Sequence, residues 1–252
     1  AAEKPFTPPA TGAVLVKDGA AGVLEVESER AHYFMQSIGS ADVSKLAPNE
    51  CVRSAFFDRK GEWIDDALIV RQSDRIPGWR RYLVLTNPAN HARLRRWFRA
   101  VSDGYVLFDD ADVTKKVEGP VMVLDLSHAE PHAPTLPDPK IVSFTTGTPA
   151  REGATSVTRA MALIGPDAIA AYEQATGKKA PACCQAAGYD VGELCVLAAR
   201  ESDRVLHVLV DEAQADAMAQ KLRGAAGVVA AGPEAVAHER TSQKLPTPGD
   251  SI

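Results

Sequence analysis

Two adjacent carboxylates, Asp65 and Asp66, stand in the run Phe56 to Val70 (FFDRKGEWIDDALIV), between a polar turn and an apolar stretch that reads as a strand. A carboxylate at such a place can stabilise a developing iminium or ammonium centre and orient a reacting amine. Successive side chains of a strand point to opposite faces, so one Asp of the pair can serve a site while the other is structural. Asn87, in LTNPAN (85–90), offers a donor and an acceptor to a ligand; equally, it can cap a helix or form an Asx turn before Pro88. His128 and His132 form H-x-x-x-H, which would align two metal ligands on a helix, but Pro131 and Pro134 deny the helix and no metal site is expected. The cysteines, Cys51, Cys183, Cys184 and Cys195, have no C-x-x-C spacing and read as buried or free thiols. No glycine pattern supports nucleotide binding by a G-x-G-x-x-G or Walker route.

The elements that must position these residues follow from periodicity. Ala13 to Val16 and Val23 to Val26 read as strands, and Ser28 precedes a helix whose Ala31, Phe34, Met35 and Ile38 share a face up to Gly39. Cys51 to Phe57 and Ile64 to Val70 form a hairpin about the turn Asp58 to Gly61, and Tyr82 to Thr86 adds a strand. After Pro88 a helix is expected with Leu94, Trp97, Phe98 and Val101 inward and Arg93, Arg95, Arg96 and Arg99 mostly outside. Tyr105 to Phe108 and Pro120 to Leu126 continue the β pattern. From Ser127 to Ala154 the prolines predict a linker or long loop. Beyond it, Met161 to Ile164, Gly165-Pro166-Asp167 and Ala168 to Gln174 repeat the strand, turn and helix order of Val23 to Ile38. Strands at Leu194 to Ala198 and Val205 to Val210, a helix at Glu212 to Leu222 and an extended tail over the last twenty residues complete the reading. The expected organisation is residues 1–126 as a first half, 127–156 as a linker, and 157–252 as a second half with the tail.

With 252 residues, 45% of them hydrophobic, the chain can bury a substantial core. A net charge of -5 argues against a general nucleic-acid binder. No apolar run approaches the roughly 20 residues of a membrane span and no signal-peptide layout opens the chain, so a soluble, cytoplasmic protein is expected.

The succession Met35-Gln36, Ser40-Ala41-Asp42-Val43, the Lys60-Gly61 turn, Asp65-Asp66-Ala67-Leu68-Ile69-Val70 and the second-half ALIGPDA (162–168) resembles the folate-binding superfamily of the glycine-cleavage T-protein (aminomethyltransferase) and the YgfZ proteins. The DD-plus-apolar run is closer to the aminomethyltransferase branch, and the helix beginning DEAQADAMAQKLRG at Asp211 is closer to the YgfZ branch. The resemblance implies an α+β fold of two similar halves with antiparallel sheets and flanking helices around a channel for tetrahydrofolate or a related pterin. It places Asp66 at the reacting nitrogen, and Arg53, Leu68, Leu85, Asn87, Asn90 and Arg200 around the cofactor. The arginines from Arg93 to Arg99, with Arg80 and Arg81, would then either hold a folate polyglutamate tail or an RNA phosphate, or form a solvated face.

Three departures qualify the resemblance. The family loop R-T-G-Y-T-G-E-D-G is reduced to Arg200-Glu201-Ser202-Asp203-Arg204, the K-G-C-[YF]-x-G-Q-E signature is missing, and the chain stops where a C-terminal barrel would follow. A protein partner or a second copy would replace that barrel. Three roles stay open: a one-carbon transferase, a non-catalytic folate-binding accessory factor for iron-sulfur proteins, and a degenerate scaffold subunit.

Overall fold

The computed structural model of the chain describes residues 11–128, 157–190, 193–197 and 205–242. In chain order its elements are β1 (Ala13–Val16), β2 (Gly22–Ser28), α1 (Ala31–Ile38), β3 (Cys51–Phe57), β4 (Trp63–Gln72), β5 (Arg80–Thr86), α2 (His91–Ser102), β6 (Met122–Asp125), β7 (Thr158–Ile164), α3 (Ala168–Thr176), β8 (Gln185–Asp190), β9 (Glu193–Leu197), β10 (Val205–Asp211), α4 (Glu212–Arg223), β11 (Val228–Ala231) and α5 (Glu234–Ser242).

The strands form a five-stranded sheet, β3-β4-β5-β2-β6, and a six-stranded sheet, β11-β1-β7-β10-β9-β8. Every pair is antiparallel except β1 with β11, which is parallel. The α+β architecture of two sheets with flanking helices is the one expected. One strand crosses between the two parts of the chain: β1, from the N-terminal part, sits inside the six-stranded sheet between β11 and β7. The reason is that Ala13 to Val16 is buried on both faces, and an interior position in a sheet covered on both sides is what satisfies such a strand.

Side-chain alternation sorts the core into layers. Phe34 and Met35 of α1 and Leu94, Phe98 and Val101 of α2 pack on Val26, Ile69 and Val84. Phe98 meets Phe34 and Phe56 edge to face at 5.9 and 5.1 Å between centroids. Tyr172 of α3 and Met218 and Leu222 of α4 cover Leu15, Leu163, Leu206 and Val208 on the other sheet. Between the sheets, Val23, Leu68, Val70, Leu83 and Leu85 meet Ala160 and Leu209. Ala235 of α5 closes one end of that layer against Val14, Val16, Ala162 and Ile164. Each large apolar side chain so buried contributes about 1.5–3 kcal/mol, so the sheet interface is the feature that fixes the relative placement of everything below.

Three expectations fail locally. Tyr105 to Phe108 is not a strand; Tyr105 is 83% exposed, and an apolar run with no strand beside it has no ladder to join. Ser28 does not cap α1: its Oγ accepts the Arg30 N–H at 3.0 Å and the helix begins one residue later. Of the last twenty residues, expected to finish as an extended tail, Glu234–Ser242 form the helix α5, and residues 243–252 lie outside the described residues.

Candidate functional site

The hairpin turn is built as the residues suggest. Asp58 accepts the amides of Lys60 and Glu62 on one carboxylate oxygen at 2.8 and 2.9 Å. Gly61 takes φ +81°, a conformation that L side chains rarely adopt. From that turn β4 runs antiparallel to β3, setting Ala55 opposite Asp66 and Arg53 opposite Leu68. Arg53 and Asp66 are therefore diagonal neighbours on one face.

Asp65 and Asp66 part to opposite faces as the alternation demands. Asp65 is fully buried and accepts the backbone N–H of Asn87 at 3.0 Å and the side-chain amide of Asn90 at 3.1 Å. Burial pushes its carboxyl up to about 6, against the opposing pull of those two donors. Asp65 thus ties β4 to the connection between β5 and α2.

Asp66 faces the layer between the sheets, where it helps line a cavity with Arg53, Leu68, Leu85, Thr86, Asn87, His207 and the α5 residues Val236, Glu239 and Arg240. Arg53 Nη1 donates to Asp66 Oδ2 at 3.0 Å. From the far end of the chain, Arg240 donates to both oxygens, Nη1 to Oδ2 at 3.3 Å and Nη2 to Oδ1. The carboxylate is 5% exposed, so two guanidinium groups replace the water it has lost.

His207 projects from β10 into the same cavity. Burial pushes its imidazole down to about 4, and the Arg53 charge acts in the same direction. The neutral ring keeps a buried Nδ1 that has no hydrogen-bond partner among the described residues. The cavity therefore combines a paired carboxylate, an unused imidazole nitrogen and the apolar walls of Leu68 and Leu85. Its volume is about 50 Å³, enough for a few waters and well short of the roughly 300–1,000 Å³ of a pocket for a drug-sized ligand.

Of the residues picked out in the sequence, Asp66, Arg53, Leu68, Leu85 and Asn87 come together here. Asn87 uses its Oδ1 for an Asx turn, accepting the Ala89 N–H at 3.2 Å. The turn and the cavity position are both realised at that residue. Asn90 is buried, donates its side-chain amide to Asp65, and is not among the residues lining the cavity. Arg200, Glu201 and His132 lie outside the described residues. The arginines of α2 do not form a uniform solvated or anion-binding face. Arg93 donates to the carbonyl of Trp63 at 3.2 Å, Arg99 to that of Val123 at 3.1 Å, and Arg95 lies 3.5 Å from Asp125.

Sequence reasoning missed Arg240 and His207. For His207 the signal was present: Leu206, Val208 and Val210 face the outer helices, which leaves position 207 pointing inward. For Arg240 the signal is weak, since only the i, i+3, i+4 spacing of Val236, Glu239 and Arg240 marks a shared helix face. His128, read only with His132, lies instead beside His91 and Asp125. Cys51 is buried, which pushes its thiol up to about 12, while Cys183 and Cys184 are exposed. No helix among the described residues is long and apolar enough to cross a membrane.

No protein-family model matches the chain, and no curated protein matches it. Among solved structures, the glycine cleavage system aminomethyltransferase T of Bartonella henselae superposes with a TM-score of 0.63 at 15% identity. The match covers 94% of this chain and 52% of that one, so the chain spans about half the length of the protein it resembles. At that identity the likeness establishes the fold, and it agrees with the aminomethyltransferase-like architecture expected from the sequence.

Proposed function

We propose that the cavity between the two sheets is the binding site for a tetrahydrofolate-type cofactor or a related pterin, and that Asp66 is the polar group that positions its reacting nitrogen. The observation that carries this reading is a buried carboxylate held by Arg53 and Arg240 between the walls of Leu68 and Leu85, in a fold shared with an aminomethyltransferase. The residues suit the group in kind. Asp66 accepts hydrogen bonds from ring or amine N–H groups, and the two leucines cover a flat heterocycle. The buried Nδ1 of His207 gains a partner when a polar edge enters.

They do not suit it in size while Arg240 is in place. Binding therefore requires α5 to withdraw Arg240 from Asp66, and the ligand takes over the hydrogen bonds that the guanidinium gives up. A reduced folate, when bound, supplies the carrier nitrogens for one-carbon chemistry. Asp66, once released, would orient the reacting amine and offset positive charge developing there.

Isothermal titration of the protein with tetrahydrofolate and its 5-methyl and 5-formyl forms tests the reading. Micromolar binding, strengthened in Arg240→Ala and weakened in Asn87→Ala, is the expected result. No heat near millimolar ligand from either the parent protein or Arg240→Ala would overturn it.

A second reading is a folate-binding accessory protein of the YgfZ kind, or a scaffold, either acting with a protein partner or a second copy. It is favoured by the engagement of both Asp66 oxygens by guanidinium groups, which occupies three of the carboxylate's roughly four acceptor sites. Binding without turnover on any one-carbon donor selects the accessory form, and an intact fold with no ligand affinity selects the scaffold.

A further inference from the structure

A second group of chemically competent side chains lies where α2 begins and β6 ends, and the folate reading makes no use of it. His91 is the first residue of α2, Asp125 is the last of β6, and His128 follows three residues later. One candidate donor atom from each lies within 4.8 Å of the other two. His91 Nε2 is 3.1 Å from Asp125 Oδ1, and His128 Nδ1 is 3.2 Å from Asp125 Oδ2. A tetrahedral zinc ion with ligands at about 2.0–2.1 Å keeps neighbouring donors roughly 3.3 Å apart. Each imidazole nitrogen thus already stands near that spacing from one of the two carboxylate oxygens, His91 from Oδ1 and His128 from Oδ2.

The second observation concerns His91 itself. It is 5% exposed, and its Nε2 lies 3.1 Å from Asp125 Oδ1 without a well-aligned hydrogen bond among the described residues. The other ring nitrogen is held, with Nδ1 2.8 Å from the Thr86 hydroxyl. When Nδ1–H donates to that hydroxyl, Nε2 carries the lone pair that ligates a metal.

Space has also been kept for the ring. A Cβ on Gly22 would lie 2.1 Å from His91 Nδ1, so β2 can pass the imidazole only with a glycine there. The carboxylate is oriented as well, by the Ser127 N–H at 3.0 Å and by Arg95 at 3.5 Å. Arg95 balances Asp125 in the metal-free protein and opposes part of a dication's charge, which sets the affinity below that of an all-anionic site.

We propose that His91, Asp125 and His128 form a binding site for a divalent transition metal of borderline softness, such as zinc. Two imidazoles and one carboxylate are a nitrogen and oxygen donor set that selects such ions over calcium or magnesium. The side chain of His128 is 70% exposed, which gives the ion its route in and leaves a coordination position for water. The bound ion clips the end of β6 to the start of α2, one hydrogen bond away from Thr86 and hence from the wall of the cavity.

The test uses the full chain stripped of metal and titrated with cobalt(II), followed by visible absorption and by thermal melting, with zinc as competitor. The expected result is one cobalt per chain with d–d bands, displaced by zinc, and a melting temperature raised by either ion. Affinity should fall at least tenfold in His128→Ala and similarly in Asp125→Asn, each variant's metal-bound melting temperature being compared with its own metal-free value. Absence of cobalt bands at millimolar metal would overturn the proposal. So would an unchanged spectrum and affinity in His128→Ala. A sulfur-to-cobalt charge-transfer band that disappears in a Cys183→Ser, Cys184→Ser variant would overturn it too, by locating the ion on the vicinal thiols.

Discussion

Replacing Asp65 with asparagine should make the protein more stable at neutral pH, and by an amount that depends on pH. In the folded protein, burial raises the Asp65 carboxyl from 3.8 to about 6, and each unit of such a shift corresponds to about 1.4 kcal/mol. Above pH 6 the folded state therefore carries an ionised, desolvated carboxylate at a cost of about 3 kcal/mol relative to the unfolded chain. As the pH falls from 6 towards 4, the folded state takes up a proton that the unfolded chain still lacks, and that cost disappears. Stability from this group is thus gained on acidification and lost as pH rises, the reverse of the usual carboxylate. Asp65→Asn keeps one acceptor for the Asn87 N–H, and a flipped Asn90 amide accepts from the new side-chain NH2. Urea unfolding of parent and Asp65→Asn from pH 4.5 to 7.5 measures the difference. Any constant offset from altered hydrogen bonds cancels between pH values, as do the other carboxylates common to both proteins. The variant should gain about 2 kcal/mol on the parent across that range. A flat difference, or one in which the parent gains with rising pH, would refute the reasoning and mean that the two donors outweigh burial.

Further outcomes can be checked on the same footing. If the folate reading holds, Asp66→Asn should abolish turnover with a one-carbon donor while changing folate affinity by no more than a few-fold, measured by steady-state kinetics beside titration. Arg240→Ala should destabilise the fold by about 1–2 kcal/mol, since Arg53 stays on the carboxylate, and chemical denaturation reads the loss. Glu25, fully buried, receives Arg75 and Arg81 at 2.8 Å each. Glu25→Ala should therefore cost about 2–4 kcal/mol of unfolding free energy, lessened by the partial exposure of both arginines. Gly22→Ala must displace the His91 ring, and a drop of several degrees in melting temperature is expected from a steric change costing about 1–3 kcal/mol.

Much of the scaffold was legible because local periodicity and burial agree. The alternation of β4 separates Asp65 from Asp66 without help from any distant residue, and the apolar spacing of Leu94, Phe98 and Val101 fixes the buried face of α2 in the same way. The Asp58 to Gly61 turn is likewise chemistry confined to a few neighbouring residues. Where local pattern needed a partner, it misled. Tyr105 to Phe108 has the composition of a strand, yet strand formation depends on an adjacent ladder that a short window does not contain. The placement of β1 in the six-stranded sheet is decided by β7 and β11, which lie far along the chain from it.

The sequence alone thus determined which residues are strand or helix over most of the chain and which side of β4 each carboxylate takes, because those are properties of the chain within a few residues. Only the tertiary structure decided what the carboxylates meet. Arg240 reaches Asp66 across 174 positions, and His91, Asp125 and His128 converge from a helix, a strand end and a loop. Pairings of that kind depend on how two sheets pack face to face, and the interactions that fix such packing are distributed over the whole core.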